Sequence, residues 1–270
     1  MPEVTVSALY VYPIKAMRGT ALPDAHVERR GIRHDRRWML VDDAGKFLSQ
    51  REHAKLALVD VRVEANGLLV QAPGHASLEI PFRASGRRRT VTIWSSSCEA
   101  VSVSTEAARY FSDYLGAPCD LVHMPDTTER VASLKYGRPT DLVGFADGFA
   151  LLLASTESLA DLNARANAEI PMDRMRPNVV VSGAPPFAED AWKEITMGAL
   201  AFRVVKPCDR CVVTTVDQAT GAKGREPLAT LARFRKIGND VFFGQNLAHD
   251  TEGTLHVGDP VHVASPPPAA

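Results

Sequence analysis

The stretch VRVEANGLLVQ (61 to 71) decides the architecture. Asn66-Gly67 stands between two short apolar runs, and Asn-Gly closes tight β-hairpins because both residues tolerate positive φ. Outward from this hairpin the pattern repeats. Runs at 57 to 63 and 68 to 72 form its arms, runs at 37 to 41 and 46 to 50 flank a second turn at Asp43-Ala44-Gly45, and the period-two alternation of Val4, Val6, Ala8 and Tyr10 predicts a half-buried first strand. Short strands broken by turn signals favour a barrel or sandwich over a Rossmann alternation. The expected fold class is therefore β-rich α+β with few helices.

Three helices are predicted. The first spans Thr105 to Leu115, with Ser104 or Thr105 as its cap and Ala107, Phe111, Tyr114 and Leu115 on one stripe. The second follows Ser155 and turns Leu159, Leu162 and Ala166 inward; the third begins near Pro227 and carries Leu228 and Leu231. Strands are expected at 179 to 182, 199 to 206, 211 to 217, 241 to 247 and 254 to 263. The pattern divides into two β-rich units, residues 1–120 and 121–264, meeting near 116 to 130. The tail SPPPAA (265 to 270) reads as disordered.

With 31 Lys+Arg against 32 Asp+Glu in 270 residues, bulk charge argues for neither nucleic acid nor a membrane surface. Four cysteines, Cys98, Cys119, Cys208 and Cys211, do not form a secreted disulfide framework. The N-terminus MPEVTVSALYVYP lacks a signal-peptide pattern, and no apolar run is long enough to span a bilayer. A soluble protein of the reducing cytoplasm is expected.

The best chemical candidate is KPCDRC (206 to 211), two thiols flanked by Lys206 and Arg210, since cationic neighbours favour the thiolate that binds metal or attacks. Four readings compete. Zinc wants four ligands, and only the distant His249 and His256 offer to complete the set. A thioredoxin-like pair would open a helix, whereas this one lies between predicted strands. Two simply buried cysteines are common. The fourth reading is a single thiolate ligating a cofactor metal. Lys15 in YPIK, Arg36 in RHDRRW and Arg176 in MRPN lie at strand ends or in adjoining loops and together suit a phosphorylated ligand, although each alone reads as a solvated charge or surface ion pair. Ser155 fits an ordinary helix cap and an anion site equally. The run RRR (87 to 89) reads as a solvated loop. No GxGxxG, Walker, GxSxG or HExxH motif occurs, which argues against the enzyme classes that they mark.

Taken in order, YPIK (12 to 15), RHDRRW (33 to 38), FADG (145 to 148), STESLADLN (155 to 163), MRPNVVVSG (175 to 183), CDRCVVTTVD (208 to 217), EPLATL (226 to 231), FGQN (243 to 246) and VGDPV (257 to 261) resemble the MOSC family, in its branch with an N-terminal MOSC β-barrel domain. That branch includes the mitochondrial amidoxime-reducing components and bacterial reductases of N-hydroxylated bases. The resemblance implies a MOSC β-barrel domain preceded by an N-terminal β-barrel-like domain. It also implies a molybdenum cofactor (molybdopterin) bound between them, with Cys211 as the metal ligand and catalytic residue. Lys15, Arg36 and Arg176 would hold phosphate and pterin; Asp147, Gly148, Asp209 and Asn246 would line the site, and Ser155 and Asn178 join the cofactor-binding set.

The implied activity is reduction of a small N-hydroxylated substrate. The runner-up is a cofactor carrier or sulfur-delivery module resembling the MOSC tail of cofactor sulfurases. Two departures stand out: Ala16 follows YPIK where relatives often carry Ser, and Gly148-Phe149 replaces hydroxyl residues of the mitochondrial members. No cysteine follows Cys211, so an iron–sulfur cluster in the tail is not expected, and electrons would come from a separate flavoprotein or a ferredoxin- or cytochrome-type donor.

Overall fold

The computed structural model describes residues 3–264; the predicted disordered tail at 265 to 270 lies outside them. The fold is β-rich with three α-helices. Its largest sheet has nine strands, in the order Val261–Val263, Glu194–Met197, Leu200–Asp209, Asp240–His249, Leu151–Ser155, Val179–Ser182, Thr5–Val11 and Thr20–Leu22, with Lys236–Ile237 added to the edge of Asp240–His249. The first strand of the chain thus runs antiparallel to Val179–Ser182, with Thr5 opposite Ser182 and Leu9 opposite Val179. A small sheet crosses the chain in the same way, placing Asp24–Glu28 between Gly253–His256 and Gly31–Ile32. Residues from both ends fill one core: Val6, Leu9 and Val27 pack with Leu153, Val181 and Phe202.

The remaining sheets belong to the first half of the sequence. Asp60–Val63, Gly67–Gln71 and Leu78–Pro81 form the meander begun by the Asn66-Gly67 hairpin, in which the Glu64 amide donates to the Gly67 carbonyl at 2.8 Å. Any side chain at Gly67 would drive its Cβ into the Ile80 carbonyl, so glycine is required there. The second sheet orders Trp38–Val41, Asp120–His123, Ser96–Ser102 and Arg88–Ile93. Helix α1 (Thr105–Leu115) closes this half. The Ser104 hydroxyl accepts from the Ala107 amide at 3.0 Å, Gly116 ends the helix at φ 68°, and Ala107, Phe111, Tyr114 and Leu115 are its buried stripe. Each such large side chain removed from water contributes roughly 1.5–3 kcal/mol. Helix α2 (Thr156–Ala166) buries Leu162, and α3 (Leu228–Phe234) starts after Pro227 and buries Leu231.

Four expectations are corrected. Residues 46 to 50 make only single bridges at Lys46 and Phe47 before turning at Ser49, whose carbonyl accepts from the Glu52 and His53 amides. The β-branched run after Cys211 is a 3₁₀ turn, Val212–Thr215, because the Thr214 and Thr215 hydroxyls donate to the carbonyls of Cys211 and Val212 at 2.9 and 2.7 Å and curl the chain. Residues 254 to 263 form two strands separated by a turn at Gly258, φ 96°. Arg88 and Arg89 belong to a strand, and Arg89 is anchored to Asp120 at 2.9 Å and to the carbonyls of Asp42 and Asp43.

Candidate functional site

The site lies where loops from the two halves of the sequence meet. Lys15 follows the first strand. Its amide donates to the Trp38 carbonyl at 2.8 Å, and its buried ammonium donates to the Phe145 carbonyl at 2.8 Å and to Asp147 Oδ1 at 2.5 Å. The 145–147 loop is brought there by its backbone, since the Phe145 amide donates to the Arg36 carbonyl at 2.6 Å. A Cβ on Gly144 would sit 2.7 Å from that carbonyl, so the approach needs glycine. Asp147 Oδ1 also accepts from Trp94 Nε1 at 2.8 Å. Desolvation opposes ionisation of Asp147, but Lys15 and the Trp94 N–H outweigh it and hold the carboxyl well below its usual range. Burial pulls Lys15 down from its ordinary value, against the pull of Asp147.

Arg36 and Arg176 both lie against the Tyr12 ring, at 4.3 and 4.4 Å from its centroid. Arg36 Nη1 donates to Asp35 Oδ2 at 2.6 Å and to Asn178 Oδ1 at 2.9 Å. The Asn178 amide in turn donates to Asp35 Oδ1 and to the Tyr10 carbonyl, and Asp35 Oδ1 accepts from the Tyr12 amide at 2.8 Å. Asp35 and Asn178 are buried, so this network is a scaffold that fixes Arg36. Arg176 differs. Its half-buried guanidinium has no carboxylate partner among the described residues, and burial lowers it to about 10. It lines a cleft of ≈ 330 Å³ with Tyr12, Arg18, Gly19, Asp173 and Gln218.

Cys211 is exposed at the head of the 3₁₀ turn. Arg51 Nη2 lies 3.4 Å from its sulfur, and the same guanidinium stacks on Trp94 at 4.4 Å. Arg51 and Trp94 thereby connect Cys211 to Asp147 and Lys15. Neither residue was singled out in the sequence, and the signal was thin: Arg51 lies in an ordinary turn and Trp94 at a hairpin tip. Backbone geometry marks the region more strongly. Ala16, Arg36, Trp94 and Arg176 all hold positive φ, between 47° and 68°. For residues other than glycine that conformation is costly and concentrates at functional sites.

The other sequence candidates are placed less directly. Gly148 borders open space, with nothing within 4 Å of where its Cβ would be. Asp209 is exposed and held by Lys206 at 2.7 Å. Asn246 lies opposite Lys206, and its amide points to the Lys206 and Pro207 carbonyls at 3.4 Å. Ser155 is fully buried and its hydroxyl is committed to α2, accepting from the Ser158 amide and donating to Glu157. Cys208 accepts from Arg210 Nη1 at 3.0 Å.

Lys15, Arg18, Arg36, Arg51 and Arg176 stand around the site with the carboxylates of Asp35, Asp147 and Asp173. Such a site suits an anionic ligand. Among the described residues no group of three or more His, Cys, Asp or Glu is arranged to hold a metal ion. A metal at Cys211 would therefore draw its remaining ligands from a bound group, and a soft thiolate suits a metal already held by sulfur. Among the described residues no helix is long and apolar enough to cross a membrane.

Residues 3–118 match the MOSC N-terminal beta barrel domain and residues 140–262 the MOSC domain. The chain is 32% identical to mitochondrial amidoxime reducing component 2 of Rattus norvegicus, over 96% of this chain and 82% of that protein. It is 30% identical to mitochondrial amidoxime-reducing component 1 of Homo sapiens with the same coverage. It is also 28% identical to the molybdenum cofactor sulfurase of Oryza sativa subsp. japonica, over 90% of this chain and 32% of that protein.

Proposed function

This chain belongs to the MOSC family, in the branch that carries the N-terminal MOSC domain, and from that premise we propose that it is a molybdenum-cofactor-binding reductase of N-hydroxylated compounds. The observation that carries the reading is Arg176: a half-buried guanidinium with no carboxylate partner among the described residues, beside a ligand-sized cleft, in a site that also presents an exposed thiol. A desolvated cation without an anion is costly, and an anionic ligand relieves that cost.

The residues fit the cofactor. Arg176 and Arg36 would hold its phosphate and pterin, stacked against Tyr12, while Lys15 adds a buried positive charge secured by Asp147. Gly148 leaves room at the rim, Asp209 ends the strand that leads to Cys211, and Asn246 lies on the strand paired with it. Asn178 acts through Arg36, and Ser155 through the cap of α2. Cys211 would give the metal its one protein ligand. When bound, the group supplies two-electron oxygen-atom chemistry. The net change is R–NH–OH + 2 H⁺ + 2 e⁻ → R–NH₂ + H₂O. The electrons come from a separate donor of flavoprotein, ferredoxin or cytochrome type.

The sulfurase relative supports a second reading, a cofactor carrier or sulfur-delivery module without turnover of its own. Two measurements on protein from cofactor-competent cells separate them. Elemental analysis should find about one molybdenum per chain, weakened in Cys211→Ala. Reduced viologen dye should be oxidised only after an N-hydroxylated substrate is added, and not by the variant. Full activity in Cys211→Ala, or zinc in place of molybdenum, would sink the proposal; molybdenum without turnover would favour the carrier.

A further inference from the structure

Arg51 is held in place by the fold. The turn that carries it is clasped by the segment following Cys211: Gln50 and Gln218, both buried, exchange reciprocal amide hydrogen bonds at 3.2 and 3.1 Å. On the other side Lys223 Nζ donates to the Arg51 carbonyl at 2.8 Å. The guanidinium carbon lies over the Trp94 ring, 4.4 Å from its centroid, with Nη1 3.2 Å from Ser49 Oγ and Nη2 3.4 Å from Cys211 Sγ. It has no carboxylate partner among the described residues. Trp94 is 51% exposed although both its polar atom and one ring edge are used, the former on Asp147 and the latter against Phe47 at 5.1 Å. A large apolar ring kept at the surface by such contacts offers a platform, and the planar fork of Arg51 offers paired donors for an anionic oxygen.

We propose that Arg51, braced on Trp94, is the specificity-determining residue for the oxygen end of the substrate at Cys211. This assignment rests on the reductase reading above. The ligand class is a small planar group bearing an N–O oxygen, such as an N-hydroxyamidine or N-hydroxy base. As the N–O bond breaks, two electrons from the separate donor leave an electron pair on each of the two atoms; the nitrogen takes up one proton to become the amine, and the hydroxyl oxygen takes up the other and leaves as water. Negative charge that develops on the oxygen is met by the Arg51 N–H groups.

The test compares molybdenum-loaded wild type with Arg51→Gln and Arg51→Lys. Three quantities are read: molybdenum and pterin per chain, melting midpoint, and KM and kcat for an N-hydroxyamidine with reduced viologen as donor. Cofactor content should be equal in all three proteins. In Arg51→Gln, kcat/KM should fall by about ten- to a hundredfold, the span of one charge-assisted hydrogen bond, with the loss carried by kcat. Arg51→Lys keeps the charge but loses the fork, and should fall between; it also carries the test if the Gln variant fails to fold. Unchanged kcat/KM at equal cofactor content would overturn the assignment. Loss of cofactor in Arg51→Gln would overturn it too, by making Arg51 a cofactor ligand. A wild type that binds molybdenum yet reduces no N-hydroxylated compound would sink the reductase reading itself, which the variants alone cannot do.

Discussion

Replacing Asp35 by Ala should destabilise the protein and loosen Arg36 together. Asp35 is 3% exposed and accepts from three donors: the Tyr12 amide at 2.8 Å, the Asn178 side chain at 3.0 Å and Arg36 Nη1 at 2.6 Å. Removing one partner of a buried ion pair costs about 3–5 kcal/mol, because the other charge stays buried without compensation. The low end applies, since Arg36 keeps the Asn178 Oδ1 contact at 2.9 Å and its side chain is 14% exposed. At about 2–4 °C per kcal/mol for a chain of this size, a loss of about 3 kcal/mol lowers the melting midpoint by about 6–12 °C. Asp35→Asn keeps an acceptor for the Tyr12 amide and should lose less. Differential scanning calorimetry of the three proteins, beside molybdenum content after expression in competent cells, reads both consequences. An Asp35→Ala protein that melts within about 2 °C of wild type would refute the reasoning that this carboxylate secures the Arg36 side of the site.

Glu189 is fully buried, accepts from Ser158 Oγ at 2.7 Å and leaves Oε2 without a partner, so burial raises its pKa in the folded state. Its folded pKa lies above the unfolded value, so stability is greatest below the unfolded carboxyl range and is lost as pH rises through the folded pKa. Glu189→Gln should therefore gain on wild type as pH rises above the ordinary carboxyl range in urea titrations, and a difference independent of pH would remove the argument. Gly244, in FGQN, holds φ 74°, and a Cβ there would lie 2.6 Å from the Leu153 carbonyl. Gly244→Ala should cost about 1–3 kcal/mol, which a neutral urea midpoint would contradict.

Local patterns were legible where one residue type carries one geometry. The Asn66-Gly67 hairpin, the Ser104 cap and stripe of α1, and the Leu231 face of α3 each rest on contacts within a few positions. The Val212–Thr215 turn was misread because β-branched residues favour strands, while two threonine hydroxyls bonding back to nearby carbonyls bend this one. Arg89 was read as solvent-facing because the sequence does not show that Asp120 lies beside it. The same limit governs the site. Lys15, Arg36 and Arg176 stood out through their motifs, but Arg51 meets Cys211 across 160 residues of sequence, and Trp94 meets Asp147 across 53. Neither pairing leaves a local trace. Asn178 was legible as a neighbour of Arg176, yet its chemistry is directed at Asp35 and Arg36, which only the folded chain reveals.

The strand Thr5–Val11 is synthesised long before its partner Val179–Ser182: Ser7 Oγ donates to the Val180 carbonyl across 173 residues. At about 5–20 residues per second of translation, the first strand waits roughly 10–35 s for that partner. During this interval Thr20–Leu22 can pair along one edge, but the groups that face Val179–Ser182 lack their native ladder, and Val6 and Leu9 lack the core that later covers them. A nascent chain in this state is a template for pairing with a neighbour, so slower elongation or a chaperone on the first strand should change soluble yield more than the stability of the finished fold would suggest.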